Sequence, residues 1–567
     1  MRSRLARRPW TAAALAAAVV VLPACSDLNA QDTFRRGPAT SLPDAGILQP
    51  SAHAGGTLRL ATTAAWPSLD PAQVVAPDAR DFFRNYARTL TVFRAAPPDV
   101  RAPTMVVPDL ATSLGVASSD ATTWTYTLRD GVKYDDGTPV TAPDVAYGVQ
   151  RSLDRSVFPG GMDWFDGALR SVSAPDSRTV VFKLSRPVPN FDYFAQLPVM
   201  APVPRSRDDG AGYGAHVAAT GPYKIASAVG QAFTFVRNPA YDAASDPLSK
   251  RAALPAEFDV RASVPPADLA RGLHDKTIDM QIGAARDGTS GQVLGDSSGQ
   301  APVDTAVLPS IAYTLINSGV EPFANEDCRR AVILAADRSA YQRAYGGPAV
   351  ALAATGLLPP ADPGAEPKDA IKLEPSPQGD VAAAQQALVT CKRPGGFSTT
   401  LGYRQGNQRD AAAAAGLKTS LARVHIDVHI TEFPAADLYT VLANNQPYSV
   451  QHRIGLVMAE RSAAWPDAEP LLRTIVDGSA SGVVANVDMR YLAEGAQLLR
   501  QDTLSPNEVA RRGAWLQIDE LAMLAAYVVP GAWGQNSLYR PKGVTNLIVN
   551  QAFGLYDYAR LGKSGGK

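Results

Sequence analysis

Few residues in this chain have both the type and the spacing that covalent chemistry requires. Gly295-Asp296-Ser297-Ser298-Gly299 has the form G-x-S-x-G. A nucleophilic serine in that motif needs a strand before it and a helix after it. The surroundings are Gly- and Ser-rich and run on into Gln300-Ala301-Pro302-Val303, so a solvated loop is expected. His425, Asp427 and His429 alternate along Val424–Ile430, and imidazole and carboxylate on one strand face can seat a metal ion. The same row is the polar face that a strand sets opposite Ile426, Val428 and Ile430. The chain has six histidines, no H-E-x-x-H and no cysteine pair at zinc spacing, which argues against a metalloenzyme. No P-loop is present, so the chain does not itself hydrolyse ATP. Neither an enzyme activity nor a cofactor or metal is expected.

The elements that must position any binding residues are clearest between Val107 and Asp154. Trp124, Tyr126 and Leu128 alternate with Thr123, Thr125, Thr127 and Arg129, a period of two that predicts a strand with one buried aromatic face. Asp130-Gly131 turns the chain, Val132–Tyr134 reads as a short return strand, and Asp135–Pro139 turns it again. Thr141 is placed to cap a helix, with Asp144 three residues on and Pro143 in the first turn. Elsewhere the pattern predicts strands at 55–61, 179–184 and 313–317 and a helix at 81–93. In the second half, strands at 398–403, 426–430 and 448–455 are separated by helices at 410–423 and 435–444, and that βαβ alternation predicts a mostly parallel sheet.

The totals set bounds. Of 567 residues, roughly 510 follow the N-terminal segment described next, more than one ordinary core holds, so two or more lobes are expected. Lys+Arg and Asp+Glu are both 54, and a net charge of zero argues against nucleic acid as a partner.

Residues 1–25 read as a targeting segment, with Arg2, Arg4, Arg7 and Arg8 ahead of an apolar run from Thr11 to Leu22 that is too short to span a bilayer. Leu22-Pro23-Ala24-Cys25 resembles the lipobox of bacterial lipoproteins, in which the cysteine thiol takes the lipid. Cys25 is thus the expected lipidation site, on the extracytoplasmic face of the cell membrane, with 26–55 as a flexible tether. Cys328 and Cys391 then remain as an even pair, which in an exported protein reads as a disulfide; two separate buried thiols are the alternative.

The 107–154 stretch closely resembles the signature region of bacterial extracellular solute-binding proteins of family 5, the peptide- and nickel-type binding subunits of ABC importers. The matching residues are Pro108-Asp109-Leu110-Ala111, Thr125-Tyr126-Thr127-Leu128-Arg129, Gly131-Val132-Lys133-Tyr134, Asp136-Gly137-Thr138-Pro139, Thr141-Ala142 and Asp144-Val145. Gly55–Ala61, Thr220–Lys224, Phe233–Tyr241 and Cys328–Arg338 resemble further family segments. The resemblance implies an α/β, two-lobed periplasmic-binding fold with an extra inserted domain and a ligand cleft between the lobes. It implies boundaries of 56–95, 216–310 and 531–567 for the first lobe, 96–215 for the insert and 311–530 for the second lobe. It further implies a monomer that captures a small solute, most readily an oligopeptide, and works with ABC permease and ATPase subunits. A lipoprotein that keeps the fold but regulates or scaffolds cell-envelope assembly is the rival reading.

The resemblance also locates a site. Relatives carry G-W-x-A-D-[YW]-P-D-P where this chain has Glu460-Arg461-Ser462-Ala463-Ala464-Trp465-Pro466-Asp467-Ala468-Glu469-Pro470. In relatives that bind peptides, the Asp before the aromatic pairs with the peptide ammonium. Ala464 stands at that position and Arg461 replaces an aromatic, while Trp465 and Asp467 are kept. Weaker binding of peptides with a free N-terminus is therefore expected, unless Glu460 or Asp467 replaces the missing charge. Arg461 and Trp465 are the expected second-lobe wall, with Phe433 where relatives often place an aromatic and Trp66 on the first-lobe side.

Overall fold

The computed structural model describes residues 47–95, 106–156, 158, 165, 167–248, 251–284, 303–360, 368–438, 446–463, 467–476, 495, 497–498, 504–505 and 508–565. Cys25, the lipobox, the G-x-S-x-G stretch, Ala464 and Trp465 lie outside them.

Two separate hydrophobic cores organise the chain. The first gathers residues from Leu58 to Ile282, takes in Ala306, and closes with Leu538 to Leu561. The second runs from Ile311 to Trp533. Around the first core lies a five-stranded sheet in the order Met280–Gln281, Thr57–Ala61, Glu257–Arg261, Ala232–Arg237, Tyr223–Val229. A four-stranded antiparallel sheet containing Thr123–Thr127 and Thr179–Leu184 packs into the same core. The alternation forecast from the sequence is realised there: Trp124, Tyr126 and Leu128 are all buried. Thr141 closes its capping box, since Asp144 Oδ2 accepts from the Thr141 backbone N–H at 2.9 Å and from its hydroxyl at 2.7 Å. Gly131 and Gly137, at φ of 77° and 87°, make the two turns.

Buried ion pairs tie the sequence-distant parts of this half together. Arg151, at the end of the helix Ala142–Ser152, donates to both oxygens of Asp70 (2.9 and 2.8 Å) and to Asp208 (2.8 Å). Arg88 and Arg251 share Asp109, and Arg251 also reaches Asp246. Arg84 pairs with Asp557 from the C-terminal return.

The second core is covered by a six-stranded sheet, in the order Ala351–Ala353, Val528–Tyr539, Val303–Ile316, Ile454–Ser462, Phe397–Arg404, Ile426–Phe433. It is mixed where a mostly parallel sheet was expected. The βαβ part is parallel, as forecast, but the long strands Val303–Ile316 and Val528–Tyr539 join it antiparallel. They do so because they are the connections between the lobes and leave in opposite directions. Ala306 and Leu538 sit in the first core, Ile311 and Trp533 in the second. The ladder shifts register between Val307 and Ile311, where Pro309 cannot donate a backbone hydrogen bond.

Three local expectations are corrected. The helix forecast at 81–93 occupies Pro77–Phe83, and Thr91–Phe93 is a strand paired with Val106–Pro108, as its β-branched residues favour. The strand forecast at 448–455 is a helix, Gln446–Gln451, followed by the strand Ile454–Ser462; Arg453 at φ 54° separates them. Val132–Tyr134 makes a single bridge, Lys133 with Pro139, in place of a strand.

Candidate functional site

Three strands of the second lobe run parallel, and their carboxyl ends converge. Phe397–Arg404 lies between Ile426–Phe433 and Ile454–Ser462. In open α/β sheets, ligands bind in the crevice outside the carboxyl ends of parallel strands. Here those ends carry charge. Arg404 closes one strand, Glu432 and Phe433 the next, and Glu460 and Arg461 the third.

Arg404 is the hub. Its Nε donates to Asp410 Oδ2 at 2.7 Å, and one of its Nη groups reaches Asp410 Oδ1 at 3.0 Å and Glu460 Oε2 at 3.1 Å. Asp410 is fully buried in the first turn of the helix Gln408–Ala422, a turn capped by Asn407, whose side chain accepts from Arg409 N and Asp410 N. The Tyr345 hydroxyl donates to Asp410 at 2.8 Å. Burial, then the Asp410 charge, pushes the Tyr345 phenol far above its ordinary pKa, so it stays a donor. The Tyr403 hydroxyl donates to Glu432 at 2.6 Å, and that bond holds it up at about 12.

Against this network lies a cavity of about 360 Å³, within the range of small-molecule sites. It sits where the two crossing strands pass between cores. Leu308 and Ser310 come from one and Trp533 to Asn536 from the other, with Tyr345, Arg409 and Glu460 opposite. Trp533 is fixed there, because its indole N–H donates to Gly356 O at 3.2 Å.

The structure distributes the sequence-derived candidates unevenly. Glu460 lines the cavity. Arg461, one residue on, is not among the residues that line it, although it opposes Ile311 in register. Asp467 is engaged elsewhere: it accepts from Asn190 Nδ2 at 2.7 Å and, at the start of the helix Ala468–Val476, from Glu469 N at 3.0 Å. Phe433 is half-buried against the second core. Trp66 does not form an open first-lobe wall. It is 1 % exposed, stacked on Phe233 and tilted against Phe82, because a large apolar ring on this sheet is worth more in the core than at the surface. Cys328 and Cys391 are joined as a disulfide in the second core, Cα–Cα 5.4 Å. The strand following His425 starts at Ile426, and His425 itself is at φ 62°, so it leaves the row. Asp427 and His429 are exposed, and among the described residues no His/Cys/Asp/Glu group is placed to hold a metal.

Arg404, Arg409, Asp410, Tyr345 and Trp533 were missed from sequence. The available signal was the polar turn Arg404-Gln405-Gly406-Asn407-Gln408-Arg409-Asp410, which links the end of a strand to the start of a helix.

Two cores, two crossing strands and a charged cavity at the crossing define a two-lobed solute-binding protein. Residues 105–482 match the family model "Bacterial extracellular solute-binding proteins, family 5 Middle", and the chain belongs to that family. It is 31% identical to a solved structure, the "Clavulanic acid biosynthesis oligopeptide binding protein 2", over 92% of this chain and 98% of that one, with a TM-score of 0.76. The unliganded open form of the murein tripeptide binding protein MppA shares the fold, with a TM-score of 0.73 at 19% identity, over 91% of this chain and 98% of that one. The probable D,D-dipeptide-binding periplasmic protein DdpA of Escherichia coli (strain K12) is 30% identical over 280 residues, 48% of this chain and 51% of that protein. The chain spans about half or less of the length of the curated relatives it matches most significantly. Among the described residues no helix is long and apolar enough to cross a membrane.

Proposed function

We propose that this chain is the extracytoplasmic binding subunit of an ABC importer, that it captures short peptides between its lobes, and that it delivers them to a permease. One observation carries the reading: a family 5 chain holds a cavity of about 360 Å³ at the crossing of its two cores, with an acid and a base on its wall. The two long strands form the hinge about which the lobes close over ligand. Residues 56–95, 216–310 and 531–567 make the first lobe, 96–215 the insert and 311–530 the second lobe. Cys25 carries the lipid and 26–55 the tether. The peptide class follows the names of the relatives, an oligopeptide binding protein and a probable D,D-dipeptide-binding protein among them.

Native mass spectrometry of the purified chain, followed by calorimetry with a tripeptide library, tests this. Co-purified peptides or micromolar library binding support it. A ligand-free protein that binds no peptide overturns it. The rival, a lipoprotein that keeps the fold and acts in envelope assembly, predicts the second result. Cys25→Ser should release the protein from membranes; retention with palmitate labelling would refute the anchor.

A further inference from the structure

Within the peptide reading, we propose that Glu460 and Arg409 form a paired-charge site that selects zwitterionic ligands, Glu460 taking the ammonium and Arg409 the carboxylate. Among the described residues that line the cavity, two carry formal charge, and they are of opposite sign. Much of the remaining wall is apolar or small, with Ile311, Val350, Ala532 and the fixed indole of Trp533. An ionic group entering such a space needs an opposite charge, since desolvation without one is costly.

Glu460 has charge to give. Its partner Arg404 also serves Asp410, so one guanidinium stands between two carboxylates and that cluster keeps one negative charge. Arg404 reaches Glu460 through Oε2, and a carboxylate offers about four lone-pair directions over its two oxygens. Arg404 thus holds the Glu460 carboxylate in position and leaves it capacity for an ammonium. Arg409 follows the Asn407 cap and is exposed, with its guanidinium 5.7 Å from the Tyr345 ring centre. Its planar fork matches a carboxylate.

Two other candidates among the described residues stand apart from this pair. Asp467 is not among the cavity's lining residues and is engaged by Asn190 and by its helix N-terminus. Arg461, expected from the sequence on the second-lobe wall, is not among the residues lining this cavity. On this proposal Glu460, four residues before Ala464, takes the ammonium and preference for a free N-terminus is kept, in place of the weaker binding that Ala464 alone leads one to expect.

The test uses the full mature chain and three probes by calorimetry: Ala-Ala-Ala, N-acetyl-Ala-Ala-Ala and Ala-Ala-Ala-amide. Wild type should bind the unmodified peptide at least about tenfold more tightly than either blocked form, the scale of a hydrogen-bonded charge. Glu460→Gln should abolish the discrimination against the N-acetyl form and leave that against the amide. Arg409→Gln should do the reverse. Thermal melting checks that both variants fold. If the peptides bind and neither substitution changes its ratio, the paired-charge site is wrong while the peptide reading stands. If no peptide binds, the peptide reading falls, and 6-aminohexanoate against hexanoate and hexylamine decides the charge pair. Binding of the zwitterion by wild type and its loss in Glu460→Gln supports the pair; no binding overturns it.

Discussion

Each half of the molecule contains a cluster of arginines and carboxylates, and the two differ in that the first is sealed and the second open. Around the first core Arg88, Asp109, Arg251 and Asp246 bond at 2.7 Å, with side-chain exposures of 0–1%. In the second lobe Arg404 and Glu460 are 21% and 34% exposed, at 3.1 Å, and their buried partner Asp410 is the anchor. The chemistry of the groups is the same, so solvent access makes the difference. The sealed charges of this cluster bond one another and serve as structure. Charges at the mouth of a cavity keep valences for a solute. The 107–154 region follows the same logic: it identifies the family, yet its Asp109 is fully locked.

The largest expected effect breaks the sealed cluster. Asp109→Ala leaves Arg88 and Arg251 buried with less charge than they need. Loss of one member of a buried pair costs about 3–5 kcal/mol, so the denaturant midpoint should fall accordingly. A loss below about 1 kcal/mol would mean that water enters the cluster and that the sealed-versus-open distinction is false.

The second lobe relies on a different fastener. Cys328 and Cys391, 63 residues apart, cross-link its core. Chain entropy for a loop of that length gives on the order of 4 kcal/mol. The Cys328→Ala/Cys391→Ala double variant should lower stability by about 2–4 kcal/mol, and Ellman titration of the denatured, unreduced mature domain should detect no thiol from this pair. Two free thiols would remove the fastener.

Legibility followed periodicity. The Trp124–Tyr126–Leu128 strand and the Thr141 cap could be read because each is fixed by neighbours a few residues away. The boundary at Arg453 could not, because a left-handed residue between a helix and a strand leaves no periodic mark. The mixed sheet was hidden for another reason: Val303–Ile316 and Val528–Tyr539 pair over more than 200 residues. The site was half legible. Glu460 stood in a recognisable segment, but Arg409 and Tyr345 line the same cavity from other elements, and Arg404 bonds Glu460 from a third. Trp66 shows the converse error: an aromatic in a loop-like stretch is as readily core as wall.

One buried carboxylate gives a pH-dependent test. Asp519 is buried, accepts from Leu357 N at 2.8 Å, and is pushed up to about 7 by burial. A carboxyl whose pKa is higher folded than unfolded stabilises fully below its unfolded pKa. That contribution is lost as pH rises toward the folded value. Stability should therefore fall between about pH 4 and pH 7 by up to about 1.4 kcal/mol per unit from this group. Asp519→Asn should flatten that part of the profile in melts at pH 5 and pH 7.5. An unchanged slope would place the titration elsewhere.

The smallest stability effect is expected at the open cluster, and its smallness is the point. Glu460→Gln keeps shape and removes one charge from a partly exposed pair. Exposed pairs contribute about 0–1 kcal/mol, and Arg404 retains Asp410. The melting midpoint should move by less than about 1 kcal/mol in equivalent stability, while discrimination between free and N-acetylated peptide is lost. A carboxylate that is nearly dispensable for folding and needed for ligand discrimination is held in place for the ligand. If Glu460→Gln instead destabilised as severely as Asp109→Ala, Glu460 would be a structural charge like those around the first core. The recognition role would then have to pass to another group on the cavity wall.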